Sequence, residues 1–151
     1  MRWSIHWIKH SRLISVMSSC PRGRVGAFII DQHNNPISSG FNGGPRGASG
    51  RLCGPDECKR DSADAKSGTL IEIGCHHAEM NAICNASKKG ISLKDCSIAI
   101  STRPCLLCAK IIHHSGISKV IIPKKSNYSL DGIEYLKENN INLVEVDSSN
   151  L

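Results

Sequence analysis

The sequence predicts an α/β fold in three layers, with helices on both faces of a mixed five-stranded sheet. Three observations carry that prediction. The C-terminal half alternates helix-like and strand-like apolar runs, an earlier pair of short runs reads as a hairpin, and 151 residues suffice for one core but not for two of ordinary size. The first two strands are therefore expected to be antiparallel, and the others parallel or mostly so, joined by right-handed crossovers. A single domain over residues 1–151 is expected.

Residues 3–18 place Trp7, Ile8 and Ile14 at mixed three- and four-residue spacings, an amphipathic helix that "CPRG" ends. "VGAFIID" (25–31) is β-branched and apolar, and "PISSGFN" follows after "DQHNNP", giving the hairpin. Residues 43–74 lack sustained periodicity and are rich in Gly, Pro, Asp and Ser, so they read as a long irregular segment. A loop of that length in a compact domain needs a function or a staple, and Cys53 and Cys58 lie within it. Regularity then returns: helix 77–89, strand 97–101, helix 105–115, strand 119–123, helix 130–139 and strand 142–146. Gly90 and Gly116 stand where helix C-terminal caps belong.

The hydrophobic fraction of 40% and charged fraction of 21% are those of a water-soluble globular chain, and no apolar run is long enough to span a membrane. Arg2, His6, Lys9 and Arg12 interrupt the N-terminal stretch, so it offers no signal-peptide core, and a cytoplasmic location is expected. In that reducing compartment the eight cysteines are expected to hold metal or remain thiols. A net charge of +6 favours an anionic partner. The basic residues cluster only locally, as in "CPRGRVG" and "PKKSN", which fits phosphate pockets better than a nucleic-acid track.

"HAE" (77–79) and "PCLLC" (104–108) each open a predicted helix. Cys105 and Cys108, three residues apart, project from one helix face. With His77 they supply three Zn²⁺ ligands and leave the fourth position open for water, the mark of a catalytic zinc. Glu79, two residues beyond His77, is the natural proton carrier for that water; H-x-E followed by P-C-x-x-C is the known signature of zinc deaminases. A zinc-knuckle half or a redox cysteine pair would explain neither Glu79 nor Pro104.

"GFNGGPRG" (40–47), "HAEMNAI" (77–83) and "STRPCLLCAKIIHHSGISKVII" (101–122) together resemble the deoxycytidylate (dCMP) deaminases of the cytidine-deaminase superfamily, from about Cys20 to the final strand. The resemblance implies a cytidine-deaminase-like fold and zinc-dependent hydrolysis of dCMP to dUMP and ammonia, a supply step for thymidylate. Glu79 would protonate ring N3 and then the departing amino group, with carbonyls of Thr102 or Arg103 holding that group. It further implies that Asn42 and Gly43 contact the nucleotide, that Arg22 or Arg24 sits near phosphate, and that Tyr128 packs on the nucleotide.

Members of this family are commonly homohexamers, activated by dCTP and inhibited by dTTP, and a bound triphosphate effector can bring Mg²⁺. Several microbial and phage members hold a second, structural zinc. Cys20, Cys53, Cys58 and Cys75 all lie outside regular elements and match such a site, with His76 the alternative to Cys58. Cys84 and Cys96 read as buried small side chains. A polynucleotide or tRNA base deaminase using the same zinc chemistry is the first rival, and a non-catalytic zinc module binding nucleic acid the second. Scarce aromatics, 4% of residues, argue against base stacking and hence against a stable nucleic-acid partner.

Overall fold

The computed structural model describes residues 2–43, 53–54, 57–64, 75–125, 130–147, 149 and 151. Its elements run α1 (Arg2–Ser15), β1 (Gly26–Ile30), β2 (Pro36–Phe41), β3 (Cys53–Gly54), β4 (Glu57–Cys58), α2 (Lys59–Ser62), α3 (Ala78–Ser87), β5 (Ser97–Ile100), α4 (Leu106–His114), β6 (Lys119–Pro123), α5 (Asp131–Glu138) and β7 (Asn142–Val146).

The main sheet has five strands in the order β2-β1-β5-β6-β7. β1 pairs antiparallel with both β2 and β5, while β5, β6 and β7 run parallel. This is the mixed sheet expected from the sequence. The hairpin accounts for the antiparallel half and the helical crossovers for the parallel half. β5 is buried on both faces, as its uninterrupted "SIAI" demands.

Two apolar clusters cover the two faces. On one, Ala78, Ala82 and Ala86 of α3 and Ala109 and Ile112 of α4 pack with Ile29, Ile98, Ile100, Val120 and Leu136. On the other, Trp7 and Ile8 of α1 pack on Ile30, Ala99, Ile121 and Val146. Three layers result, with α1 packed on the second face.

The segment expected to be irregular holds some order: β3 and β4 form a two-stranded antiparallel pair in which Cys53 and Cys58 are direct partners, and α2 follows at once. Periodicity is too weak a signal for elements of two to four residues. Gly43 and His76 form an isolated antiparallel bridge, with Gly43 N donating to His76 O at 3.0 Å and His76 N to Gly43 O at 2.9 Å. The end of the hairpin is thereby tied to the residue preceding His77.

Candidate metal centre and active site

Both halves of the centre are built at helix N-termini. His77 is the N-cap of α3 and Cys105 the N-cap of α4, each with extended backbone angles. Their carbonyls accept the first helical bonds, from Asn81 N at 3.0 Å and Ala109 N at 2.9 Å. A helix turn later Cys108 faces the same way as Cys105. Parallel β5 and the β2 edge deliver the two N-termini to the same end of the sheet.

His77 Nδ1 lies 3.4 Å from Cys105 Sγ and 3.3 Å from Cys108 Sγ. All three donor atoms lie within 4.8 Å of one another, and among the described residues this is the one such group of three or more potential ligands. Zinc bond lengths to imidazole and thiolate place tetrahedral donors roughly 3.6 Å apart, so these residues fit the ion. Glu79, 3% exposed, is buried beside them.

The electrostatics follow from burial and proximity. Without metal, Cys105 is lowered to about 4, first by the hydrogen bond from the Cys108 thiol and also by His77. Cys108 is pushed far up, first by that shared hydrogen bond and then by burial. One proton thus serves both sulfurs. His77 is raised, chiefly by its hydrogen bond to Cys105, against the opposing effect of burial. Glu79 is raised by desolvation. A carboxyl held in that direction is suited to carry a proton near neutral pH.

The other residues singled out by the sequence divide. Asn42 sits on the hairpin end with both sides of its amide engaged: Oδ1 accepts from Val25 N at 2.8 Å and Nδ2 donates to Gly23 O at 2.8 Å. It clamps the 23–25 turn that carries Arg24, which is exposed. Arg22 pairs with Asp61 at 3.2 Å, linking that turn to α2. Thr102 and Arg103 lie on the loop between β5 and Cys105, and the Arg103 guanidinium donates to Lys124 O at 2.6 Å, with Glu145 at 3.8 Å. That side chain therefore anchors the loop to the ends of β6 and β7. Tyr128 lies outside the described residues.

Of the four additional cysteines, Cys58 is buried and Cys20 and Cys75 half-buried, while the Cys53 side chain lies outside the described residues. The buried Nδ1 of His76 has no hydrogen-bond partner among the described residues. Cys96 is buried as expected, but Cys84 is exposed, because it falls on the solvent side of α3.

The sequence did not single out Gly132. A Cβ there would collide with the backbone of Pro104 and Cys105, so the first turn of α5 rests directly on the turn that presents the first thiolate. A buried glycine in the first turn of an otherwise amphipathic helix was the available signal.

Residues 1–124 match the model of the family described as the cytidine and deoxycytidylate deaminase zinc-binding region. The chain is 33% identical to the deoxycytidylate deaminases of Pongo abelii and Homo sapiens over 132 residues, covering 87% of this chain and 70% of each relative. Among solved structures it is similar to the dCMP deaminase of cyanophage S-TIM5 in complex with dCMP and dUMP. That match has a TM-score of 0.74 and 25% identity, covering 93% of this chain and 94% of the other.

Proposed function

Because the chain belongs to the cytidine and deoxycytidylate deaminase zinc-binding family, we propose that it hydrolyses dCMP to dUMP and ammonia, with His77, Cys105 and Cys108 holding zinc and Glu79 moving the proton. The observation that carries this reading is the convergence of His77 Nδ1 on both sulfurs, at 3.4 and 3.3 Å, beside a buried carboxyl. Zinc in such a site supplies water acidified toward neutrality. Glu79 takes one proton as water adds to C4 and delivers it to ring N3, where it stays; it then takes the second from the new C4 hydroxyl and gives it to the amino group as the C4–N bond breaks, leaving the C4 carbonyl of dUMP and ammonia. Desolvation, which raises the Glu79 carboxyl, fits it to both directions of transfer. Carbonyls of Thr102 or Arg103, on the loop just before Cys105, orient the amino group.

The nucleotide's sugar contacts the Asn42–Gly43 corner and its phosphate meets Arg22 or Arg24, with Tyr128 packing on the nucleotide. The net charge of +6 supports an anionic substrate. A second, structural zinc is held by Cys20, Cys53, Cys58 and Cys75, with His76 as alternative to Cys58. Support comes from the direct pairing of Cys53 with Cys58 and from the Arg22–Asp61 bridge joining the Cys20 segment to α2. The functional form is a cytoplasmic homohexamer of single-domain chains regulated by dCTP as activator and dTTP as inhibitor, with Mg²⁺ accompanying the triphosphate. No helix among the described residues is long and apolar enough to cross a membrane.

The test is ammonia release from dCMP, CMP, deoxycytidine and a single-stranded oligonucleotide, each with and without dCTP or dTTP. Turnover of dCMP above the others is expected. Inactivity on dCMP under every condition overturns the assignment, and preference for the oligonucleotide selects the polynucleotide deaminase instead. Zinc analysis should give about two ions per chain, falling to about one in Cys53→Ser with deamination partly retained; one ion in the parent removes the structural site.

A further inference from the structure

β2 is an edge strand of the sheet, and edge strands present unpaired backbone groups along their outer side. Here α3 lies over one face of the sheet and reaches that outer side with two side chains. Asn81 Nδ2 donates to Phe41 O at 2.8 Å, and Asn85 Nδ2 donates to Ser39 O at 2.9 Å. Phe41 and Ser39 alternate along the strand, so their carbonyls share the edge facing away from β1. Ser38 Oγ returns a bond of 2.6 Å to Ala82 O of the helix.

The periods match. Four helical residues rise about 6 Å and two strand residues advance about 6.7 Å. Asparagines one turn apart therefore meet alternate carbonyls only if the helix runs along the strand in the opposite sense. Between them, Gly40 lies against the backbone of Ala78, Asn81 and Ala82, and any Cβ at position 40 would collide there. Ala78, Ala82 and Ala86 form the buried helix face, none of them exposed.

An alanine face against a strand is close but smooth, and apolar contact has no direction. The amide bonds do have one. Asparagine is a poor residue for a helix interior, so two at i and i+4 need another reason to be there. Both also line a cleft of about 690 Å³ with Ser38, Ser39, Lys88 and Lys89. Their bonds to Phe41 and Ser39 point to a role on the strand instead of in that cleft.

We propose that Asn81 and Asn85 are positioning residues of the active site: they set the register of α3 on β2, and through it the placement of His77 and Glu79 opposite Cys105 and Cys108. Asn81 follows His77 by one turn and bonds its carbonyl, so a slip of the helix moves ligand and proton carrier together. The kinetic half of this inference rests on the deamination proposed above; the geometric half does not.

The test uses Asn81→Ala, Asn85→Ala, the double variant and the near-isosteric Asn81→Asp, which keeps the shape but removes the donor. In the zinc proteins, kcat on dCMP should fall about 10- to 100-fold in the double variant, as for a misplacement on the order of 1 Å. KM should stay within about twofold, because transition-state geometry and not substrate binding is lost. Asn81→Asp should behave like Asn81→Ala. In cobalt-substituted proteins, the visible ligand-field and thiolate bands should shift in the double variant. Unchanged kcat together with an unchanged cobalt spectrum in the double variant overturns the proposal. If the double variant does not fold, the same readings on Asn85→Ala and Asn81→Asp decide it. If the parent fails to turn over dCMP, the functional reading falls, while the cobalt spectra still report the register.

Discussion

Helices α3 and α4 begin in nearly the same way and are fastened differently. His77 caps α3 at φ −73° and ψ 159°, Cys105 caps α4 at φ −71° and ψ 168°, and neither side chain makes a capping hydrogen bond. A Ser, Thr, Asp or Asn at either position would stabilise its helix by about 1 kcal/mol, so both helices give up a cap to present a ligand. What restores their placement differs. α4 is wedged by shape: Ala109 and Ile112 enter the core, and α5 abuts the Pro104–Cys105 backbone through Gly132. α3 brings only alanines among its fully buried apolar side chains, with Ile83 partly buried, and adds to its close contact with Gly40 a set of directional bonds to β2. A centre drawn from two elements can thus be fixed mainly by shape on one side and by shape reinforced with polar contacts to a strand edge on the other.

The strongest break should come from removing a ligand on the wedged side. Cys108→Ala is expected to lose one zinc per chain and to abolish deamination, measured by metal analysis and ammonia release. Next come the two glycines. Gly132→Val is expected to displace the Cys105 turn, lowering turnover on the order of 100-fold and stability by about 1–3 kcal/mol in denaturant melts. Gly40→Val should do the same from the α3 side. A variant of either kind with parental activity would show that its fastening does not matter.

Proton counting sharpens the comparison in the metal-free protein. Cys105, lowered to about 4, is already a thiolate at neutral pH, while Cys108 is raised far enough to keep its proton and His77 is raised in the same direction. Zinc must displace the Cys108 proton, so its binding near pH 7 should release at least one, seen by calorimetry in buffers of differing ionisation enthalpy. Glu79 works in the related sense. Burial raises its folded pKa above the unfolded value, so its contribution to stability is present at low pH and lost as pH rises through the folded pKa. The metal-free Glu79→Gln protein should therefore gain stability over the parent as pH rises. The smallest effect belongs to the exposed Arg22–Asp61 pair: Asp61→Asn should change stability by less than about 1 kcal/mol and lose even that in high salt.

Much of this was legible in the sequence. Ligand spacing is local, so "HAE" and "PCLLC" could be read without a fold, and the strands of the parallel half announce themselves by uninterrupted β-branched runs. Gly90 and Gly116 adopt the φ of +66° and +84° that their cap positions require. The fastenings were not legible. Asn81, Asn85 and Ser38 act across 40 or more positions on a strand edge that only the sheet order defines. Gly132 matters through a turn 27 residues away. Nor did the motif around Asn42 announce that its amide bonds the 23–25 turn.

In the proposed function, the three ligands and the buried carboxyl form one working centre in which Glu79 moves protons and does not hold the metal. The most direct measurement is ammonia release from dCMP by Glu79→Gln beside its zinc content. A parental zinc count is expected, with turnover reduced by about 10²- to 10⁴-fold or more. Parental turnover, or loss of zinc together with the carboxylate, would contradict it.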